Sequence, residues 1–321
     1  MRTYLEFEKS IAEIETKIEE LSALAESSGA EAMGVELSRL KAKSDRQLKD
    51  LYSKLDPWQK TLVARHPDRP RFRDYVGALV TDFLELSGDR KFGEDPAILG
   101  GLGKFLGRPA VILGHEKGRT TTERLKHNFG MARPEGYRKA VRLMDLADKF
   151  GLPVVSFVDT AGAYPGIGAE ERGQGEAIAR STERCLTLGV PMVAVITGEG
   201  GSGGALAIAA ANTVFMLEHS IYSVISPEAG ASILFRDAAR AKDVAAAMKI
   251  TAQDLIGFKV IDAIVPEPVG GAHRAPERAI AAVGAEIAAA LDALKDLSPE
   301  ALRAQRRERF YAIGRLEGAA A

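Results

Sequence analysis

The sequence contains little cysteine and no long apolar run. Its 321 residues include a single cysteine, Cys185, which excludes an internal disulfide framework and a cysteine zinc cluster within this chain. Arg or Lys interrupts every apolar stretch, so no segment is predicted to span a bilayer. The net charge of −1 gives no general attraction to nucleic acid or to membranes. The opening MRTYLEFEKS lacks the apolar core of a secretory signal, so we expect a cytoplasmic protein.

The composition is ordinary for a globular protein, with 46% hydrophobic and 27% charged residues. From about residue 97, apolar runs of strand type lead into small-residue turns and then into helix-favouring segments. This alternation predicts an α/β fold. An amphipathic helix is predicted over residues 72–83 and a long helix from about residue 168. The predicted strands cover residues 97–102, 109–113, 154–158, 192–196, 213–217 and 260–265.

The N-terminal region predicts a helical hairpin. Apolar residues recur every three or four positions from Phe7 to Ala25 and again from Leu37 to Leu55, separated by SSGAEAMG at residues 27–34. The hairpin either packs on its own domain or docks a partner chain, and both interpretations stay open. We place the domain boundaries at residues 1–68 for the hairpin, 69–275 for the main domain and 276–321 for C-terminal helices.

A glycine-rich turn lies at the centre of the chain. Within residues 190–211, a strand-type run enters five glycines between Gly198 and Gly204, and an alanine-rich helical run follows. Glycine lets a ligand approach the backbone closely. The first N–H groups of a helix lack internal partners, and the helix dipole favours negative charge there. The turn is therefore suited to a phosphate, a carboxylate or a developing oxyanion.

Two short motifs overlap in this turn and leave alternatives open. G-x-G-x-x-G begins at Gly198, and Glu218 follows about twenty residues later, which suits a dinucleotide-binding module. G-x-S-x-G centres on Ser202, with Asp262 and His273 downstream in the order of a serine hydrolase. A glycine-rich turn matches several such patterns by chance. A non-catalytic scaffold is a third class.

Two further segments carry candidate binding residues. DTAGAYPG at residues 159–166 follows a predicted buried strand, and its Tyr164 is either the wall of a flat-ligand pocket or an ordinary packed aromatic. Glu170 and Glu171 suit helix capping better than acid–base catalysis. Residues 117–142 hold an excess of Lys and Arg, which is either a solvated face or a patch for an anionic ligand or nucleic acid.

Seven segments of the sequence together resemble one family. They are similar to the carboxyltransferase α subunits of bacterial multi-subunit acetyl-CoA carboxylase, in the order of that family. One departure is Ala161, where many relatives have proline. The resemblance implies a crotonase-like fold of repeated ββα units and an active site shared with a separate β subunit. The segments are residues 82–90, 115–119, 128–140, 158–179, 198–208, 222–234 and 266–274.

The resemblance also implies a reaction and a set of partners. The carboxyl group of carboxybiotin, held on a biotin carboxyl carrier protein and loaded by biotin carboxylase, passes to acetyl-CoA and gives malonyl-CoA for fatty acid biosynthesis. The β subunit carries the zinc and most of the acetyl-CoA, so no metal is expected in this chain. An α₂β₂ heterotetramer is the expected assembly.

Site residues follow from the same resemblance. The backbone N–H groups of Gly203 and Gly204 are expected to form an oxyanion hole for the biotin ureido oxygen. We also expect Gly204→Val to lower carboxyl transfer without disturbing folding. A weaker hypothesis assigns Lys117, Arg119, Arg124 and Lys126 to holding anionic CoA or carboxybiotin. The residues expected to flank the biotin are Gly162, Ala163, Tyr164, Pro165, Gly166, Gly200, Gly201 and Ala205.

Overall fold

The computed structural model describes residues 2–28 and 32–315. Its described strands form one mixed sheet in the order β1-β2-β3-β4-β5-β6-β8, with β7 paired to the end of β5. The strands are β1 (Val80–Glu85), β2 (Ile98–Phe105), β3 (Arg108–His115), β4 (Val154–Thr160), β5 (Met192–Gly201), β6 (Thr213–Leu217), β7 (Ile221–Ser223) and β8 (Ala263–Val265).

Helices cover the sheet and extend from it at the N-terminus. Short 3₁₀ turns lie at Glu6–Glu8, Asn128–Gly130 and Ala238–Arg240. The α-helices are α1 (Lys9–Ser28), α2 (Ala32–Tyr52), α3 (Pro57–Ala64), α4 (Phe72–Leu79), α5 (Thr121–Lys126), α6 (Pro134–Phe150), α7 (Ile167–Glu171), α8 (Gln174–Thr187), α9 (Ser202–Leu206), α10 (Pro227–Phe235), α11 (Ala241–Met248), α12 (Ala252–Gly257), α13 (Pro276–Leu294) and α14 (Pro299–Ala312).

The sheet is antiparallel at one side and parallel through its centre. β1, β2 and β3 pair antiparallel, whereas β3, β4, β5, β6 and β8 run parallel. Every residue of β4 and β5 is buried, because helices lie on both faces of a parallel sheet. The carboxyl ends of the central strands therefore meet at one edge, where loops are free to form a site.

Two helix predictions were wrong in part, one at its end and one at an internal break. The helix predicted over residues 72–83 stops at Leu79, and Val80 begins β1 opposite Phe105 of β2. Strand pairing there overrides the helical spacing of the apolar residues. The long helix predicted after residue 168 is broken into α7 and α8 at Gly173, whose φ of +80° is left-handed and incompatible with a continuous helix.

The N-terminal helices α1 and α2 contact each other. Ion pairs connect the start of this N-terminal segment to Arg274. Arg274 forms ion pairs with Glu8 (3.2 Å) and Glu15 (2.8 Å). The Tyr52 hydroxyl donates to Glu8 at 3.0 Å. Residues 29–31 of the predicted break, and residues 316–321 of the C-terminal segment, lie outside the described residues. The domain boundaries stay a prediction.

One basic residue of the C-terminal helix α14 is turned into the protein. Arg306 is completely buried. It donates to the carbonyl oxygen of Val190 at 2.8 Å and to the side chain of Asn212 at 2.9 Å. Arg306 therefore anchors α14 to the start of β5 and the start of β6, instead of facing solvent.

Candidate active site

Two loops leave the sheet side by side at the carboxyl ends of β4 and β5. These strands are parallel, and their last paired position places Thr160 opposite Gly200. The DTAGAYPG loop and the glycine turn therefore begin next to each other. A parallel sheet positions binding loops in this way.

The glycine turn packs directly on the backbone of the neighbouring loop. A Cβ atom at Gly201 would lie 2.0 Å from the carbonyl oxygen of Ala161, and one at Gly204 would lie 2.6 Å from the backbone nitrogen of Ala163. Backbone neighbours cannot rotate away as a side chain can. The expectation that Gly204→Val leaves folding undisturbed is therefore wrong, because any side chain at that position forces the two loops apart.

Gly203 lies on the wall of a cavity of about 470 Å³, which we call the glycine-turn cavity. Gly203 is half-buried, whereas Gly204 and Ala205 are buried behind it. A Cβ atom at Gly203 would meet only the side chain of Ile178, at 3.3 Å. Residues lining the cavity include Ser202, Gly203, Leu206, Tyr222, Val224 and Met248.

The two ends of the DTAGAYPG loop lie in different surroundings. Gly162 is buried against the glycine turn, since its carbonyl carbon would lie 2.7 Å from a Cβ at Gly204. Tyr164 contacts another segment, since its N–H donates to the Ala132 carbonyl at 2.9 Å and the Arg133 guanidinium lies 4.8 Å from the centre of its ring. Gly162 and Ala163 therefore pack against the glycine turn. Tyr164, the exposed Pro165 and the half-buried Gly166 lie outside the lining of the glycine-turn cavity.

Ser202 lies at the bend between β5 and α9. It is exposed and has a φ of +53°, which is strained for a residue with a Cβ atom. A nucleophile elbow has this shape, but the two predicted partners are engaged elsewhere. Asp262 forms an ion pair with Arg309 at 3.0 Å, and the His273 ring stacks on His66 with centroids 3.7 Å apart. The serine hydrolase alternative is not favoured.

The dinucleotide pattern also lacks its structural context. The helix after the turn, α9, has five residues, whereas a dinucleotide unit continues into a long helix. Glu218, the candidate ribose ligand, accepts a hydrogen bond from the N–H of Glu267 at 3.1 Å. This alternative is not favoured either.

A charged network that the sequence did not predict lies beside the two loops. Lys117 contacts Asp159 at 2.7 Å and Glu199 at 3.5 Å, and Arg65 contacts Glu199 at 2.7 Å. Burial would raise the pKa of Glu199, but Lys117 and Arg65 hold the pKa below its ordinary value. The Glu199 N–H donates to Asp159 at 2.9 Å. The network therefore ties the end of β4 to the glycine turn.

His115 is the last residue of β3 and precedes Lys117 of this network by two positions. It is 1% exposed. Burial lowers the pKa of its imidazole to about 3, the positive charge of Lys117 adds to the shift, and the backbone of Gly204 opposes it. His115 is therefore neutral at physiological pH and does not act as a proton donor there.

Residues 2–28 and 32–315 contain neither a metal-binding cluster nor a membrane-spanning helix. Within these ranges, no group of three or more His, Cys, Asp or Glu side chains is arranged to hold a metal ion. Within the same ranges, no helix has the length and apolar character needed to cross a membrane.

A family model described as acetyl co-enzyme A carboxylase carboxyltransferase-like matches residues 4–314. The chain belongs to this family. It is 65% identical over 312 residues to the acetyl-coenzyme A carboxylase carboxyl transferase subunit alpha of Caulobacter vibrioides (strain NA1000 / CB15N), covering 97% of this chain and 98% of that protein. The protein of the same name from Methylobacterium nodulans is 64% identical over 315 residues, covering 98% and 99%. The prediction of an acetyl-CoA carboxylase carboxyltransferase is confirmed.

Solved structures similar to this acetyl-CoA carboxylase carboxyltransferase-like chain agree on its fold. Transcarboxylase 12S with bound methylmalonyl-coenzyme A superposes with a TM-score of 0.58 at 20% identity, over 71% of this chain and 42% of that chain. The chain therefore spans less than half of the transcarboxylase chain. A Pseudomonas malonate decarboxylase hetero-tetramer in complex with coenzyme A gives a TM-score of 0.54 at 16% identity, over 68% and 88%. The predicted crotonase-like α/β fold is confirmed.

Proposed function

We propose that this chain is the α subunit of an acetyl-CoA carboxylase carboxyltransferase and transfers the carboxyl group of carboxybiotin to acetyl-CoA, giving malonyl-CoA. The observation that carries the proposal is that Gly203, in the first turn of α9, lies on the wall of a cavity in a chain of this family. A biotin carboxyl carrier protein, loaded by biotin carboxylase, delivers the carboxyl group.

The glycine-turn cavity has the volume and the wall of a small-molecule site. Its volume of about 470 Å³ is within the range of small-molecule sites, about 300–1,000 Å³. Leu206, Val224 and Met248 give its wall an apolar character. Gly203 carries no side chain, so a ligand can approach its backbone closely. Gly162 and Ala163 support this backbone from the neighbouring loop.

The chain contributes charge stabilisation to the reaction. Carboxybiotin, when bound, would supply the carboxyl group, and its freed ring nitrogen would take the proton that the methyl group of acetyl-CoA loses as it receives the carboxyl group. The backbone N–H group of Gly203, on the cavity wall, binds the negative charge that develops on the ureido oxygen, and the N–H group of the buried Gly204 next to it is the second proposed donor. One donor of this type is typically worth about 3–4 kcal/mol in a transition state. Because the donors are amides, no ionisable side chain of this chain is needed.

An apolar surface beside the cavity supports a partner chain. Val224, Ile233 and Leu234 are 83%, 71% and 69% exposed, and Val224 also lines the glycine-turn cavity. Ile233 and Leu234 lie in the last turn of α10, and large exposed apolar side chains that form a patch mark protein interfaces. A zinc-bearing β subunit seated there would close the cavity and bring acetyl-CoA to it. An α₂β₂ heterotetramer would then contain two such sites.

Reconstitution tests the proposal. Malonyl-CoA is measured from carboxylated carrier protein and acetyl-CoA, with the β subunit and with or without this chain. We expect turnover only when both subunits are present. Equal malonyl-CoA formation by the β subunit alone would contradict the proposal.

A further inference from the structure

A buried tyrosine of α6 reaches the backbone of the glycine turn. A Cβ atom at Gly204 would lie 3.0 Å from the hydroxyl oxygen of Tyr137 and 2.6 Å from the backbone nitrogen of Ala163. Tyr137 is 0% exposed. The space that a side chain would fill at Gly204 is therefore taken up by the backbone of the neighbouring loop and by this hydroxyl.

The Tyr137 hydroxyl is buried without a partner. It makes no hydrogen bond to any residue that the structure describes. Burial raises the pKa of Tyr137, and the charge of Asp95 adds to the shift, so the hydroxyl keeps its proton. A buried hydroxyl that makes no hydrogen bond lowers the stability of the folded state, because its hydration is lost without compensation. Such a group in a folded protein needs an explanation in what it contacts.

Apolar neighbours fix the ring of Tyr137. It belongs to a buried cluster that includes Ile98 of β2 and Ala207 at the end of α9. The Ala207 N–H donates to the carbonyl oxygen of Gly203 at 2.9 Å, so the cluster also contacts the helix that follows the glycine turn. Close packing holds the ring in one position, and the hydroxyl oxygen therefore stays against Gly204.

Removal of this oxygen would leave a gap next to Gly204. Glycine has no side chain to fill the gap, and its backbone adopts a wide range of conformations. Gly203, the preceding residue, lies on the wall of the glycine-turn cavity. A shift of Gly204 into the gap would therefore also move Gly203, and a misplacement of about 1 Å in a catalytic site can cost about a hundredfold in rate.

We propose that Tyr137 is a positioning residue, whose hydroxyl oxygen fixes the Gly204 backbone for carboxyl transfer at a cost in stability. The catalytic part rests on the proposed function of the chain, whereas the restraint on the turn does not. Tyr137→Phe should leave the fold at least as stable, because an unpaired buried polar atom is lost, and should loosen the turn. A merely structural tyrosine would lose stability and activity together.

Tyr75 offers a matched control. It is also 0% exposed, and within residues 2–28 and 32–315 its hydroxyl makes no hydrogen bond either. Its ring stacks on Phe157 with centroids 5.0 Å apart. Its cluster contains Leu99, whereas that of Tyr137 contains Ile98, and successive residues of a strand face opposite sides of the sheet. Tyr75→Phe therefore removes the same atom on the other side of the sheet.

Amide hydrogen exchange of the full chain tests the restraint without turnover. Mass spectrometry follows peptides that cover residues 198–207 in the unchanged chain, Tyr137→Phe and Tyr75→Phe, and urea unfolding gives the midpoint of each. We expect exchange in the turn to be about tenfold faster in Tyr137→Phe alone, with a urea midpoint at least as high as that of the unchanged chain. Unchanged exchange, or a lowered midpoint, would overturn the proposal.

The reconstituted malonyl-CoA assay tests the catalytic part. We expect Tyr137→Phe to lower kcat about tenfold and to leave KM within about twofold, and Tyr75→Phe to change neither. An unchanged kcat in Tyr137→Phe, or an equal loss in Tyr75→Phe, would overturn the positioning role. Absence of malonyl-CoA with the unchanged subunits would instead contradict the proposed function, and hydrogen exchange would still decide whether Tyr137 restrains the turn.

Discussion

A methyl group added at Gly204 is expected to destabilise the fold, whereas one added at Gly203 is not. At Gly204 the new Cβ would lie 2.6 Å from the backbone nitrogen of Ala163, about 0.8 Å closer than an ordinary contact of 3.4 Å. At Gly203 it would meet a methyl group of Ile178 at 3.3 Å. The first neighbour is fixed backbone, and the second is the end of a side chain that can move.

The magnitude follows from these two distances. Overpacking against a rigid neighbour typically costs about 1–3 kcal/mol, so Gly204→Ala should lower the free energy of unfolding by that amount. Gly203→Ala should stay within about 0.5 kcal/mol of the unchanged protein. Gly204→Ala should also lose carboxyl transfer, because separating the loops displaces its amide. Gly203→Ala keeps the fold, but its new methyl group stands on the cavity wall and blocks the close approach of a ligand to the backbone, so carboxyl transfer should fall in this variant as well.

Urea unfolding measures the stability difference between the two variants, provided that the free energy of unfolding has the same dependence on urea concentration in both. The reconstituted malonyl-CoA assay measures activity on the same samples. A Gly204→Ala protein as stable and as active as the unchanged chain would refute the packing argument. An equal loss of unfolding free energy in both variants would show that the turn tolerates a side chain at neither position. The two contact distances would then not predict stability.

Two further predictions concern the hydrolase alternative and a buried ion pair. Ser202→Ala should retain carboxyl transfer within about threefold in the reconstituted assay, and a loss of several orders of magnitude would reinstate the serine as a nucleophile. Glu267→Gln leaves the buried Arg69 without its carboxylate and should cost about 3–5 kcal/mol in urea unfolding. Burial would raise the pKa of Glu267, but Arg69 lowers it to about 2. Because the folded pKa is below the ordinary value of 4.5, this stabilisation is present above about pH 4.5 and is lost as pH falls toward 2. An unchanged acid-unfolding profile in Glu267→Gln would contradict this assignment.

Local signals predicted much of the architecture. The strand at residues 213–217 was predicted with its observed bounds. Asp56 caps α3 by accepting from the Gln59 N–H at 2.8 Å, with Pro57 at the first position, and both are residue types that favour a helix start. The apolar runs and the glycine cluster placed the turn between β5 and α9. These features depend on neighbouring residues, which a single sequence displays directly.

Features set by distant residues were not predictable. Val80 satisfies the helical spacing of residues 72–83, and only its pairing with β2 converts it to strand. The Lys117 ammonium meets Asp159 and Glu199 across three strands, and no spacing along the chain reveals that contact. The glycine pattern likewise did not show which glycine packs on backbone and which faces a cavity.

The most direct measurement is a solved structure of this chain with its β subunit and biotin. We predict that the ureido oxygen lies about 2.7–3.1 Å from the backbone nitrogens of Gly203 and Gly204, with the ring in the glycine-turn cavity. Biotin bound elsewhere, with both amides donating to protein carbonyl oxygens, would contradict the account.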